Sequence, residues 1–175
     1  MAPAGAKLCA EKSIYYFKDN YTDEFSSEYM YDDFLSYLKQ ELRAEARKCG
    51  ASSYDLDATI TVVITDFDRQ CLCCLSVGTE RIFTVSDTGE IKMICGDPQE
   101  NSVVNGEYVT FGRHSLAGLK SIRILTDGLF CRIYKGAEIQ QPYSRFLAEN
   151  NTQALFDAVN ETLFYDDATL VIMEL

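Results

Sequence analysis

The sequence predicts an α+β protein in which helices pack on antiparallel sheet. Three observations carry this. Before Gly50 the chain repeats apolar residues at helical spacing. After Gly50 it turns to β-branched runs joined by short turns. It then closes with one more helical pattern and a final apolar run. Strands gathered in hairpins, with no regular strand–helix alternation, argue against a parallel doubly wound sheet.

Ala6 to Asp19 carries Leu8, Ile14, Tyr15 and Phe17 among Lys and Glu and reads as a helix, followed by a polar, turn-like stretch from Asn20 to Ser27. Glu28 to Cys49 places Tyr31, Phe34, Leu35, Leu38, Leu42 and Ala46 at three- and four-residue steps, an amphipathic helix. Gly50 follows where a terminating glycine belongs. The Phe34, Leu38 and Leu42 face is expected to lie on a sheet.

Ala58 to Phe67 and Gln70 to Val77 read as strands joined by a turn at Asp66-Phe67-Asp68-Arg69. Arg81 to Ser86, the turn Asp87-Thr88-Gly89 and Glu90 to Ile94 form a second hairpin. Cys95 to Glu107 is loop-like, broken by Gly96, Asp97-Pro98 and Asn105-Gly106. Tyr108 to Phe111 is a short strand, and Ser121 to Thr126 is a clear one stopped by Asp127-Gly128. Gln153 to Phe164 is helical, with Leu155, Phe156, Val159 and Leu163 on one face, and Ala168 to Leu175 is the closing strand.

The 175 residues suit a single domain spanning 1–175. The apolar share of 47% and charged share of 25% are those of a globular chain. A formal charge of −11 repels nucleic-acid phosphates and anionic lipid heads, which argues against both as partners. No apolar run approaches the ~20 residues of a membrane span. The N-terminus lacks a charged-then-apolar leader, so the seven scattered cysteines read as reduced thiols in a cytoplasmic protein.

Cys71, Cys73 and Cys74 form a C-x-C-C cluster, with Cys71 and Cys73 on one strand face and Cys74 on the other. A zinc site needs about four ligands. No second pair stands at zinc-like spacing, so the cluster reads as small buried residues. His114, the one histidine, sits beside Arg113 in what reads as a loop, a solvated side chain more than a general acid. The tyrosines at 15, 16, 21, 29, 31 and 37 read as core and rim.

Two acidic positions stand where strands meet turns: Asp127 directly after one strand, and Asp166 or Asp167 directly before another. Carboxylates on stiff strand ends repel one another, and a hard divalent cation relieves that repulsion. Either position read singly is ordinary turn chemistry.

The ordered set of segments says more. Cys71 to Met93 (CLCCLSVGTERIFTVSDTGEIKM) resembles the V-G-D-S-R segment and following hairpin of metal-dependent protein phosphatases of the type-2C (PPM) family. Ile122 to Leu129 (IRILTDGL) is similar to that family's strand followed by S-D-G, and Asp166 to Leu175 (DDATLVIMEL) to its closing D-N-x-T/S strand. Leu56-Asp57-Ala58-Thr59 falls at a small-residue-rich strand start of the family. Ala4-Gly5-Ala6-Lys7, leading into a helix, resembles the stretch just after the family's D-G-x-G turn.

The resemblance implies a sandwich of two antiparallel sheets flanked by helices. It implies a binuclear Mn²⁺ or Mg²⁺ centre whose bound water attacks phosphoserine or phosphothreonine in a phosphoprotein. By it Asp127 and Asp166 are metal ligands, with Gly128 and Asp167 as secondary positions. The family's N-terminal strands, with their phosphate-contacting Arg and bridging Asp-Gly, are expected to be missing, and Val77-Gly78-Thr79-Glu80-Arg81 lacks the aspartate of V-G-D-S-R. At most one weakly held ion is therefore expected, with impaired phosphatase activity. The alternative is a pseudophosphatase that binds a phosphoprotein or partner; a third reading is an interaction domain of chance similarity. Missing strands would expose sheet edges, which predicts a homo-oligomer.

Overall fold

The computed structural model describes residues 2–21, 28–96, 102–106, 110–135, 138–160 and 167–175. Contacts divide the chain into two compact units, Met1–Thr79 with Gly96–Ser115, and Glu80–Cys95 with Leu116–Leu175. All described strand pairings are antiparallel, as the hairpin pattern required. Among the described residues no helix is long and apolar enough to cross a membrane.

The first unit opens with α1 (Ala2–Asn20) and α2 (Glu28–Cys49). The first begins four residues earlier than its apolar pattern suggested, because Pro3, Ala4 and Gly5 add no large apolar residue to that pattern, although proline is at home in a first helical turn and alanine favours helix. The second runs over the span its period predicted. Tyr31, Phe34, Leu35, Leu38, Leu42 and Ala46 are all buried, each large one contributing roughly 1.5–3 kcal/mol. Gly50, at φ +67°, ends α2: Ala51 N–H donates to Ala46 O at 2.9 Å and Gly50 N–H to Arg47 O at 3.4 Å. This paired closure needs a left-handed residue, which glycine adopts without strain.

A 3₁₀ turn (Ser53–Leu56), capped reciprocally by Ser52 and Asp55, leads into β1 (Ile60–Asp66) and β2 (Cys71–Val77). These pair from Ile60↔Val77 to Asp66↔Cys71. At the turn, Asp66 Oδ1 accepts from Arg69 N at 2.9 Å. Every residue of β2 is buried, and Cys71, Cys73, Leu75 and Val77 join the α2 face in one core. Phe34, Leu38 and Leu42 thus meet sheet as expected. Burial pushes the Cys73 thiol up to about 11, with Cys71 adding to the effect; that environment suits a packed thiol.

β5 (Thr110–Ser115) completes this sheet in the order β1-β2-β5. It corrects the reading of Arg113 and His114 as loop: both are strand residues, opposite Cys73 and Leu72. The polar run Arg-His-Ser carries little strand propensity, so pairing with the apolar β2 decides the conformation. Tyr108 and its neighbours 107–109 lie outside the described residues. Of the tyrosines, Tyr16 and Tyr31 are core, Tyr15 is exposed, and Tyr31 stacks on Phe111 with centroids 4.3 Å apart.

The second unit holds β3 (Arg81–Ser86), β4 (Ile91–Cys95), β6 (Leu119–Leu125) and β9 (Leu170–Glu174), in the order β4-β3-β6-β9. Although consecutive, β2 and β3 therefore belong to different sheets. Three helices, α3 (Asp127–Ile133), α4 (Tyr143–Ala148) and α5 (Thr152–Asn160), accompany this sheet, with a small hairpin of β7 (Tyr134–Lys135) and β8 (Glu138–Ile139). Phe83, Leu125, Leu129, Ile133, Leu147, Leu155 and Val159 form its core. Leu155 and Val159 occupy the face the period predicted; Leu163 lies outside the described residues.

Candidate metal and phosphate site

β6 delivers Thr126 and Asp127 to one end of its sheet. Thr126 is extended at φ −75°, ψ 161°, and caps a helix instead of opening a turn. The reading of Asp127-Gly128 as a turn is therefore corrected: Asp127 is the first residue of α3. Thr126 O accepts from Leu129 N at 3.1 Å and from Phe130 N at 2.9 Å. Burial of Gly128, Leu129 and Ile133 anchors that helix on the sheet. The buried Gly128 donates its N–H to Asp127 Oδ1 at 2.9 Å, which orients the carboxylate.

The second acidic segment comes to the same place. β9 pairs with β6 down to Leu125↔Leu170. Beyond that pair Thr126 N–H donates to Thr169 O at 3.1 Å, and Thr169 N–H donates to Thr126 Oγ1 at 2.9 Å. Thr126 Oγ1 in turn donates to Asp167 O at 3.4 Å. One threonine thus holds the segment Asp167–Thr169 against the residue that precedes Asp127. Asp166 lies outside the described residues; Asp167 is exposed.

Glu80 is a carboxylate that the sequence reading passed over. The register Arg81↔Leu125 brings it level with Thr126, at the same sheet end. The signal was present in the V-G-T-E-R segment, where the missing aspartate at Thr79 masks the carboxylate beside it. Arg81 donates to Glu80 O at 3.2 Å and lies 5.0 Å over the Phe130 ring of α3, a cation–π contact that fixes β3 to the helix start.

Among the described residues, no three His, Cys, Asp or Glu side chains gather into a group able to hold a metal ion. A hard ion such as Mg²⁺ is commonly held by one or two carboxylates with several waters. Among the described residues, Asp127, Asp167 and Glu80 stand on the segments that meet at this end of the sheet.

No family model and no curated protein matches the sequence. Solved structures do. The serine/threonine phosphatase Stp1 from Staphylococcus aureus superposes with a TM-score of 0.71 at 13% identity, over 97% of this chain and 76% of that one. The Mycobacterium tuberculosis serine/threonine phosphatase PstP/Ppp gives 0.65 at 15% identity, over 98% and 83%. The phosphatase domain of the Bacillus subtilis cell-fate determinant SpoIIE gives 0.55 at 15%, over 100% and 74%. The chain has the fold of these bacterial phosphatases, as the ordered motifs implied.

Proposed function

We propose that this chain is a phosphatase-fold domain that binds a phosphoprotein substrate or partner and, as this chain stands, hydrolyses phosphomonoesters weakly or not at all. The clamp at Thr126, which sets the Asp127 and Asp167 segments side by side, is the observation that supports a site at this end of the sheet. Asp127 and Asp166, with Asp167 beside them, would hold one Mn²⁺ or Mg²⁺. When bound, such an ion would polarise a phosphate oxygen and acidify a water.

What the chain's own residues do is positional. The Gly128 N–H aims the Asp127 carboxylate, Thr126 aligns the second acidic segment, and Arg81 on Phe130 keeps β3 and α3 in register. The two proposed ligands, Asp127 and Asp166, balance the charge of one divalent ion only. The surplus of 27 acidic over 16 basic residues repels a phosphorylated ligand wherever a cation does not offset it. The first point favours weak turnover, and the second makes any phosphate contact depend on a bound cation.

The test is a Mn²⁺ titration with a chromogenic phosphate ester, comparing the wild-type chain with Asp127→Ala. Turnover close to background in both, with intact folding, is expected. Capture of a phosphoserine peptide in preference to its unphosphorylated form would then identify a pseudophosphatase. Robust turnover that disappears in Asp127→Ala would overturn the inactivity and show that further ligands come from another chain or segment.

A further inference from the structure

β6 carries a charge where a core residue belongs. Arg123 is fully buried in the strand, opposite Phe83 of β3 and Ile172 of β9. It lines a narrow crevice with Phe146, Leu147, Asn150, Thr152 and Leu155, where α4 gives way to the N-terminus of α5. A guanidinium has five N–H donors and cannot shed its charge. Here they find little. Nε donates to Leu147 O at 3.4 Å and Nη1 to Ile122 O at 3.3 Å, both long, and Nη2 has no hydrogen-bond partner among the described residues.

Among the described residues, the one acid within ion-pair range is Glu174 of β9, whose Oε1 is 3.7 Å from Nη2, outside hydrogen-bonding range. The Glu174 side chain is 51% exposed. The same Oε1 accepts from Asn150 Nδ2 at 3.2 Å. Two donors therefore converge on one oxyanion position, one of them a dry cation and the other an amide at the protein surface. A buried cation with long bonds is costly, and a well-seated anion relieves that cost more strongly in apolar surroundings than in water.

We propose that Arg123 and Asn150 form an oxyanion seat that takes a carboxylate or phosphate group, with Glu174 as its loosely held, exchangeable occupant. Arg123 Nη2 and the Asn150 amide can each donate to an oxygen of either group, and charge-assisted bonds from a guanidinium shorten to about 2.7–2.9 Å when the acceptor is free to settle. The crevice itself has no room for a water molecule. An incoming group therefore takes the place of the Glu174 carboxylate at the mouth and goes no deeper. The proposal does not depend on the acidic site that follows the C-terminal end of β6.

The experiment is an NMR titration of the metal-free chain with inorganic phosphate, and separately with acetate, against sodium chloride at matched ionic strength. The Arg123 Nε–H and the Asn150 side-chain amide are observed. Glu174→Gln removes the competing charge and is expected to tighten phosphate binding by about tenfold or more, since loss of a charged competitor near a buried cation is worth at least ~1.4 kcal/mol. Arg123→Met, which fills the space with an apolar chain, is expected to abolish the response. Asn150→Gly keeps the left-handed backbone of Asn150 at φ 57° and is expected to weaken it. A response to acetate as well as phosphate assigns the seat to oxyanions of both kinds; a response to phosphate alone assigns it to phosphate groups, and to acetate alone to carboxylates. No saturable shift at Arg123 in Glu174→Gln, or an equal response in Asn150→Gly, would overturn the proposal even if Arg123→Met fails to fold.

Discussion

Thr126→Val tests how the two acidic segments are held together, because it removes one hydroxyl and leaves the shape. The Oγ1 accepts from Thr169 N at 2.9 Å and donates to Asp167 O at 3.4 Å, whereas the backbone bond from Thr126 N to Thr169 O survives. The first bond is well made and the second is long. Both are exposed to water, which replaces part of what is lost. The net cost is therefore about 1 kcal/mol. If that energy holds Asp127 and the 166–167 segment in a binding-ready arrangement, its loss weakens Mn²⁺ binding by about fivefold, since ~1.4 kcal/mol is a factor of ten. Thr126→Ser keeps the hydroxyl and is expected to behave like the wild type. Free Mn²⁺ measured by electron paramagnetic resonance gives the affinity, and urea unfolding gives the stability. Equal Mn²⁺ affinity in the valine, serine and wild-type chains, with the expected loss of stability in the valine variant, would refute the idea that Thr126 organises the acidic site.

Three further outcomes are expected. Gly5→Ala should destabilise by about 1 kcal/mol: helix propensity favours alanine by up to ~1 kcal/mol, but its Cβ would run into the backbone carbonyl oxygen of Leu56, and overpacking costs typically 1–3 kcal/mol; a stabilised variant in urea would contradict the contact between α1 and the 3₁₀ turn. Asp66 is held down at about 2 by the Arg69 side chain and N–H and by Tyr21, below the ~3.9 of an unfolded chain. Its contribution is thus present above about pH 4 and lost as pH falls toward 2, so Asp66→Asn should show a shallower acid dependence of its urea midpoint than the wild type, and parallel curves would count against this. Cys49 and Cys131 are exposed whereas Cys9, Cys71, Cys73, Cys74 and Cys95 are buried, so a thiol reagent should label two sites rapidly in the folded chain and five more only on unfolding.

The outer strands of the two sheets are β1 and β5 in one and β4 and β9 in the other. The missing-strand expectation made such edges the basis for a homo-oligomer. We retain that assembly as a proposal, since exposed edges pair readily with another chain; sedimentation at micromolar concentration reads it directly, and a single monomer species would count against it.

Some elements were legible residue by residue. The span of α2 followed from its apolar repeat and Gly50, because the helical period and a left-handed terminus are local properties. The hairpins at Asp66–Arg69 and Asp87–Gly89 followed from their turn residues for the same reason. The three ordered motifs carried the fold, and the strand that leads to Asp127 was legible from its β-branched, apolar run. The features that required the tertiary structure depend on partners far along the chain. Asp127-Gly128 looks like a turn in isolation, and becomes a helix start because Leu129 and Ile133 find a core with Phe83 and Leu155. Arg113 and His114 became strand residues because β2 lies beside them. Arg123 would be placed in solvent by any local reading, yet the α4–α5 junction covers it. The contact between Thr126 and Thr169 joins residues 43 positions apart. Local propensity reports what a segment can adopt; only long-range pairing and burial decide which side chains share a place, and a site is defined by that sharing.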